Sequence, residues 1–260
     1  MKALTPLLSL RDVSIRFGGI AALDAVSFDL PQGSICGLIG PNGSGKTTLF
    51  NCVSRLYHQQ SGEIHFAGRS ITDTPSHRIA ALGLGRTFQN LALFATLSVR
   101  QNIMVGGHAR SSAGFVASAL RLPWVAAEER RLGERADEII EYLGLTAQRD
   151  RPVADLPFVT QKRVELGRAL ASDPKLLLLD EPAAGLNHEN LEELAALIRD
   201  IRDRLGITVL LVEHHMQLVM GVSDRVVALN FGRKIAEGAP AQIQNDHSVI
   251  EAYLGAPSHA

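Results

Sequence analysis

The chain has 260 residues, 46% of them hydrophobic and 20% charged, with a formal net charge of −1, the composition of a globular domain. Its 26 basic and 27 acidic side chains provide no global basic field for a nucleic acid, and two cysteines, Cys36 and Cys52, are too few for a disulfide framework. No stretch offers the ~18 uninterrupted apolar residues of a membrane span. The opening MKALTPLLSLRDVSIRF is broken by Pro6, Arg11 and Asp12 before a signal-peptide core develops, so a cytoplasmic location is expected.

In chain order, DAVSFDL sets Val26, Phe28 and Leu30 on one face of a half-buried strand, and GEIHFAG does the same with Ile64 and Phe66. SICGLIG, KLLLLD and GITVLLVEH are short continuous apolar runs, as in strands buried on both faces. With helical patterns between them, they predict a parallel α/β sheet. In EERRLGERADEIIEYLGL, the residues Leu132, Ala136, Ile139, Ile140 and Leu143 share a helical face, with Gly144 as a stop. NHENLEELAALIRDIRDRLG places Leu191, Leu194, Ile198, Ile201 and Leu205 on one stripe, capped by Asn187 and ended by Gly206. The chain is expected to be a single domain, 1–260, with a helical subdomain over approximately 90–170 inserted into the α/β core.

The strongest motif is GPNGSGKT, Gly40 to Thr47, between a buried strand and a helix. A polyphosphate needs many N–H donors at close range, along a path that side chains would obstruct. Glycines at 40, 43 and 45 permit it, and the helix that follows turns its positive end to the phosphates. Gly40, Pro41, Asn42, Gly43, Ser44, Gly45, Lys46, Thr47 and Thr48 are therefore the expected ATP-binding loop. Lys46 is the counter-charge to the β/γ-phosphates, the Thr47 hydroxyl a ligand to Mg²⁺, and Thr48 a donor on the α-phosphate side. The spacing differs from that of a dinucleotide fold.

LLLLDEP ends a strand with two acids. Asp180 fits a Mg²⁺-site role through water, and Glu181 a general base that polarises the attacking water. VEHHM ends another strand, where His214 is a candidate γ-phosphate contact and His215 the lesser of the pair. Gln89 is a candidate Mg²⁺ ligand, and Phe17 a ring to stack on adenine. Taken singly, these residues also read as solvated strand-end acids, a structural histidine, a surface glutamine and a core aromatic.

The order Phe17, phosphate loop, Gln89, Asp180–Glu181, His214 resembles that of the ATP-binding cassette ATPases across essentially the whole chain. The resemblance implies a P-loop NTPase fold with a RecA-like core, an antiparallel β subdomain and a helical subdomain. It further implies head-to-tail dimers that sandwich ATP between one subunit's phosphate loop and the other's signature loop. Phe17 then matches the aromatic A-loop, Gln89 the Q-loop, AAGLN (Ala183 to Asn187) the D-loop and His214 the switch histidine. The stretches FGGIAALDAVSFDL, GLGRTFQNLALFATLSVRQNIMVGG, VEHHMQLVMGVSDRVVALNFGRKIAEG and EAYLG are similar to LivG-type subunits of branched-chain amino-acid importers. That likeness implies a second, LivF-like ATPase in a heterodimer, two membrane permeases, a periplasmic binding protein and a site at the cytoplasmic face of the inner membrane. A soluble ABC ATPase acting on nucleic acid or ribosomes, and a weakly hydrolysing regulator, are the alternatives.

The chain departs from the pattern in three places. The signature position holds LPFVT, that is Leu156, Pro157, Phe158, Val159 and Thr160. Proline has neither hydroxyl nor N–H, and valine brings a branched side chain where the family has glycine, although Gln161 and Arg163 continue the pattern. His215 stands where this branch commonly has aspartate, and His188 where proline often follows the D-loop. Leu91, Leu93 and Phe94 are candidate permease contacts.

Overall fold

A computed structural model describes residues 6–87, 91–108 and 123–254. It divides into two compact units, Met1–Ser76 with Leu178–Ala260, and His77–Leu177.

In the first unit, β1 (Pro6–Phe17) and β2 (Ile20–Pro31) pair antiparallel, and β4 (Ser61–Phe66) with β5 (Arg69–Ser70) extend the sheet in the order β2-β1-β4-β5. The expected alternation is present: Val26, Phe28, Leu30, Ile64 and Phe66 are all buried. The second sheet runs β10 (Arg233–Gly238), β9 (Arg225–Asn230), β3 (Ile35–Ile39), β8 (Thr208–Val212), β7 (Leu176–Asp180). β3 lies parallel to both β8 and β9, and every residue of β3, β7 and β8 is buried, which is why these runs carry no polar alternation.

Helices cover this sheet where the chain is small enough. A Cβ on Gly37 would lie 2.5 Å from Val219 Cγ1, so glycine lets α7 (Met216–Val222) pack closely on β3. α6 (His188–Leu205) is capped by the Asn187 side chain, which accepts from Asn190 N–H at 3.0 Å, and Gly206 ends it with φ +67°. Ile198 and Ile201 are buried as the stripe requires, but Leu205 is 40% exposed. It is the last helical residue, and after the left-handed turn at Gly206 the buried place goes to Ile207. The end of α6 is tied down by Arg202, which donates to both oxygens of Asp224 at 2.8 and 2.9 Å, while the same carboxylate accepts from Ile35 N–H.

At the C-terminal end, α8 (Pro240–Gln244) and α9 (His247–Leu254) bring Ile243 and Val249 into a cluster with Ile39, Val219, Val226 and Ala228. Tyr253 lies one helical turn beyond Val249, on the same face. Both cysteines are buried, and burial pushes the Cys36 thiol up to about 12 and the Cys52 thiol up to about 11.

In the second unit, α2 (Ser76–Ile79) precedes β6 (Leu84–Arg86), which pairs with the start of β7. α3 (Val99–Gly107) opens with a capping box between Ser98 and Gln101. α4 (Pro123–Tyr142) buries Ala136, Ile139 and Ile140, followed by Leu143 and the left-handed Gly144. α5 (Phe158–Leu170) crosses α3 closely, because a side chain at Gly106 would strike Arg168 O. Asn102 is wholly buried, and its amide donates to Phe94 O, Leu97 O and Ser98 O and accepts from Phe94 N–H. Four bonds from one side chain hold the 94–98 stretch against α3. Among the described residues, no helix is long and apolar enough to cross a membrane.

Asp137 on α4 accepts from both Arg100 and Arg149 at 2.8–3.2 Å. Hydrogen bonds from Arg149 and Arg100 hold its carboxyl at about 2, below the ordinary 3.8. The lowered value means that this stabilisation is complete above the unfolded-state value and is lost as pH falls from about 4 to about 2. The group is partly exposed, so screening limits the contribution to about 1 kcal/mol. Asp137→Asn is expected to lower the melting temperature by about 2–4 °C at neutral pH and to flatten the loss of stability between pH 4 and 2, measured by calorimetry.

Candidate functional site

The glycine loop expected to bind phosphate is built by close backbone approach. Gly40, Gly43 and Gly45 have φ of +150°, +78° and +104°, values that side chains rarely tolerate. A Cβ on Gly40 would strike Leu229 O and Ser44 Oγ, and one on Gly45 would lie 2.5 Å from Ala22 O. At Gly43 a side chain would meet nothing within 4 Å, so there the left-handed backbone alone requires glycine. α1 (Lys46–Val53) begins at Gly45 with no side-chain cap, so its first N–H groups are left for a ligand. The buried Ser44 Oγ has no hydrogen-bond partner among the described residues.

Lys46 curls back over this loop, donating to Gly40 O at 2.6 Å and Pro41 O at 2.9 Å. Burial lowers its pKa, and the charges of Glu181 and then Asp180 oppose that shift. One cation and two strand-end acids, three of the expected residues, thus lie within electrostatic influence of one another. Thr47 is exposed and Thr48 partly buried. Asp180 is buried as the last residue of β7. Glu181 follows with φ +48°, an uncommon conformation for a non-glycine residue that costs about 1–3 kcal/mol, and its N–H is held by Val212 O at 2.9 Å. A hydroxyl and a carboxylate are both hard oxygen donors, the set that suits Mg²⁺.

His214 leaves the end of β8, half exposed, with its ring tilted 38° against His215 at 4.5 Å. Between strand and histidines lies Glu213, whose side chain is fully buried. Its Oε1 accepts from Ala183 N–H at 2.6 Å, and its Oε2 from the N–H groups of His214 and His215 at 2.9 and 3.2 Å. One carboxylate thus ties the start of AAGLN to the histidine turn. Sequence reasoning passed over Glu213; the available signal was an acid ending a fully apolar strand.

Phe17 ends β1 half-exposed and meets Tyr57 edge-on, with centroids 5.4 Å apart, so it is not a core aromatic. Tyr57 was missed, as was Tyr253, whose hydroxyl accepts from Gly40 N–H at 2.8 Å. No local pattern could have joined α9 to a glycine 213 positions earlier. Gln89 lies outside the described residues.

In the second unit, Leu156 is buried and Pro157 takes the N-cap position of α5, with no side-chain cap. Gln161 closes the turn, its N–H donating to Pro157 O and its amide to Leu156 O. Phe158 is 47% exposed, with Lys162 Nζ 5.5 Å from its ring centroid; Val159 and Thr160 are partly buried.

Residues 23–184 match the ABC transporter family, and residues 233–259 match the branched-chain amino acid ATP-binding cassette transporter family. The chain is 39% identical over 250 residues to the high-affinity branched-chain amino acid transport ATP-binding protein BraF of Pseudomonas aeruginosa, covering 96% of this chain and 98% of that one. It is 40% identical, with the same coverage, to LivG of Escherichia coli K12, which bears the same description. The solved ADP conformation of an ATP-binding cassette of an ABC transporter superposes with a TM-score of 0.83 at 30% identity, covering 96% of this chain and 99% of that chain. The chain belongs to the ABC transporter family, in the LivG-type branch of ATP-binding subunits that couple ATP hydrolysis to transport.

Proposed function

We propose that this subunit drives import of branched-chain or related amino acids, working at the cytoplasmic face of the inner membrane beside two permease subunits fed by a periplasmic binding protein. The observation that carries the catalytic part is Lys46, held over the glycine loop and coupled to Glu181 and Asp180. The substrate class is supported by the relatives, described as branched-chain amino acid transport proteins. Action on nucleic acid is not favoured, since those relatives are transport subunits and the net charge is −1.

In this reading the loop Gly40–Thr48 holds the triphosphate and Phe17 stacks on adenine. Thr47, Asp180 and Gln89 hold Mg²⁺, Asp180 through water, and the ion supplies charge neutralisation at the β/γ oxygens. Glu181 polarises the attacking water, and His214 contacts the γ-phosphate. Phe94, 51% exposed beside the Asn102-held stretch, is the candidate permease contact, more than the partly buried Leu91 and Leu93.

LPFVT makes the partner unequal. Pro157 offers no N–H or hydroxyl at the start of α5, and Val159 has a branched side chain where backbone would approach phosphate. The site on this chain's phosphate loop is therefore completed by a different, LivF-like ATPase with an intact signature.

Lys46→Ala is expected to reduce turnover of the assembled transporter by at least about 10²-fold, read as phosphate release, and normal turnover by that variant would refute the site. The purified subunit alone is expected to hydrolyse ATP slowly, with addition of the second ATPase raising turnover; robust cooperative hydrolysis by the lone chain would sink the unequal pair. Tyr253→Phe removes one hydrogen bond to Gly40, worth about 1 kcal/mol, and should raise KM for ATP about fivefold with little change in kcat. An unchanged KM would show that the hydroxyl does not position the loop. Leucine uptake by proteoliposomes carrying the whole complex tests the substrate class.

A further inference from the structure

The histidine turn carries a second chemistry. Glu213 has a fully buried carboxyl side chain, and among the described residues no lysine or arginine pairs with it; the basic side chains beside it are His214 and His215. A buried anion is stabilised by a nearby cation. The two imidazole Nδ1 atoms lie 3.8 and 3.2 Å from the same Glu213 oxygen, and the three candidate ligand atoms are all within 4.8 Å of one another. With zinc–ligand bonds of about 2.1 Å, tetrahedral geometry separates ligand atoms by about 3.4 Å. The two measured edges bracket that spacing.

We infer that Glu213, His214 and His215 form a binding site for a borderline-soft divalent transition metal such as Zn²⁺, separate from the Mg²⁺ of the nucleotide site. Two imidazoles and one carboxylate are a known zinc donor set, which leaves a fourth position for water. The fixed carboxylate is oriented by three peptide N–H groups, from Ala183, His214 and His215, the kind of outer support that sharpens metal affinity. The side chains of His214 and His215 are 55% and 36% exposed, so the ion can enter from solvent. On binding, the ion exchanges three of its waters for the two imidazole Nδ1 atoms and one Glu213 oxygen; each ring keeps its proton on Nε2, and metal–ligand bonds replace the contact of His215 Nδ1 with Glu213 Oε2.

A metal on this triad would occupy His214. Where His214 is the γ-phosphate contact, as proposed above, the ion is an inhibitor of hydrolysis. Binding itself does not depend on that reading.

The test uses tag-free, chelator-treated, nucleotide-free full-length protein titrated with Co²⁺, read by its visible ligand-field absorption, followed by competition with Zn²⁺. One saturable equivalent per chain with tetrahedral-type bands, lost to Zn²⁺, is expected. His215→Gln should weaken affinity at least about tenfold, with folding checked by its melting transition. His214→Gln, used for binding only, should do the same if the first variant is unstable. No saturable binding, or equal affinity in the variants, overturns the site. In the assembled transporter, Zn²⁺ is expected to inhibit Mg²⁺-dependent turnover while His215→Gln escapes. Binding without inhibition supports the metal site and counts against the role given to His214.

Discussion

The first unit is organised around backbone wedged against backbone at the phosphate loop. Gly40 has no room for a side chain beside Leu229 O, and Gly45 none beside Ala22 O. Ser44 O accepts from Gly232 N–H, whose own carbonyl accepts from Asp24 N–H. The loop is therefore gripped between a strand of the antiparallel sheet and the turn from β9 to β10. A side chain at either glycine would have to push whole strands apart, which close-packed interiors resist. The same confinement pre-orders the N–H groups of a ligand site, so little ordering entropy remains to be lost on binding.

That grip explains why the C-terminal helices matter to a site near the start of the chain. Ile243 and Val249 are buried against Ile39, the last residue of β3. Once α9 is fixed by Val249, helical geometry brings Tyr253 to the same face, where its hydroxyl meets Gly40 N–H. Burial raises the tyrosine pKa, keeping the phenol neutral and the bond free of a competing charge. Segments that match the branched-chain amino acid cassette family thus connect to the glycine loop.

Local periodicity made the secondary structure legible. The fully apolar runs became β3, β7 and β8, and Asn187 and Gly206 bound α6 as their chemistry requires. The backbone of the glycine loop was equally legible, since positive φ leaves glycine as the low-cost choice at 40, 43 and 45. Leu205 was misjudged because helical spacing continues to the last residue while the buried surface does not. Tyr57 and Tyr253 were invisible for a different reason: each acts through a contact between distant segments, and spacing encodes only neighbours within one element; the strand-end position of Glu213 was legible, but its reach to Ala183 was not.

The acid ends of β7 and β8 show how such distant contacts become functional. Glu181 leaves the strand in a left-handed conformation, and its N–H is held by Val212 O. One residue beyond Val212, Glu213 reaches back to hold Ala183 N–H. Two adjacent strand ends are therefore clasped twice, with N–H groups of Glu181 and Ala183 both donating to the end of β8, once to a backbone carbonyl and once to a carboxylate. The clasp fixes the strained residue from both sides: Glu181 itself, and the peptide two positions after it. Strain of about 1–3 kcal/mol persists only where the surroundings over-determine it, and here they do. The carboxylate that secures this turn is the one that faces the paired histidines. Any ligand or charge that shifts Glu213 therefore acts on Ala183 and the histidine turn together, which makes this buried acid the mechanical link between the two strand ends.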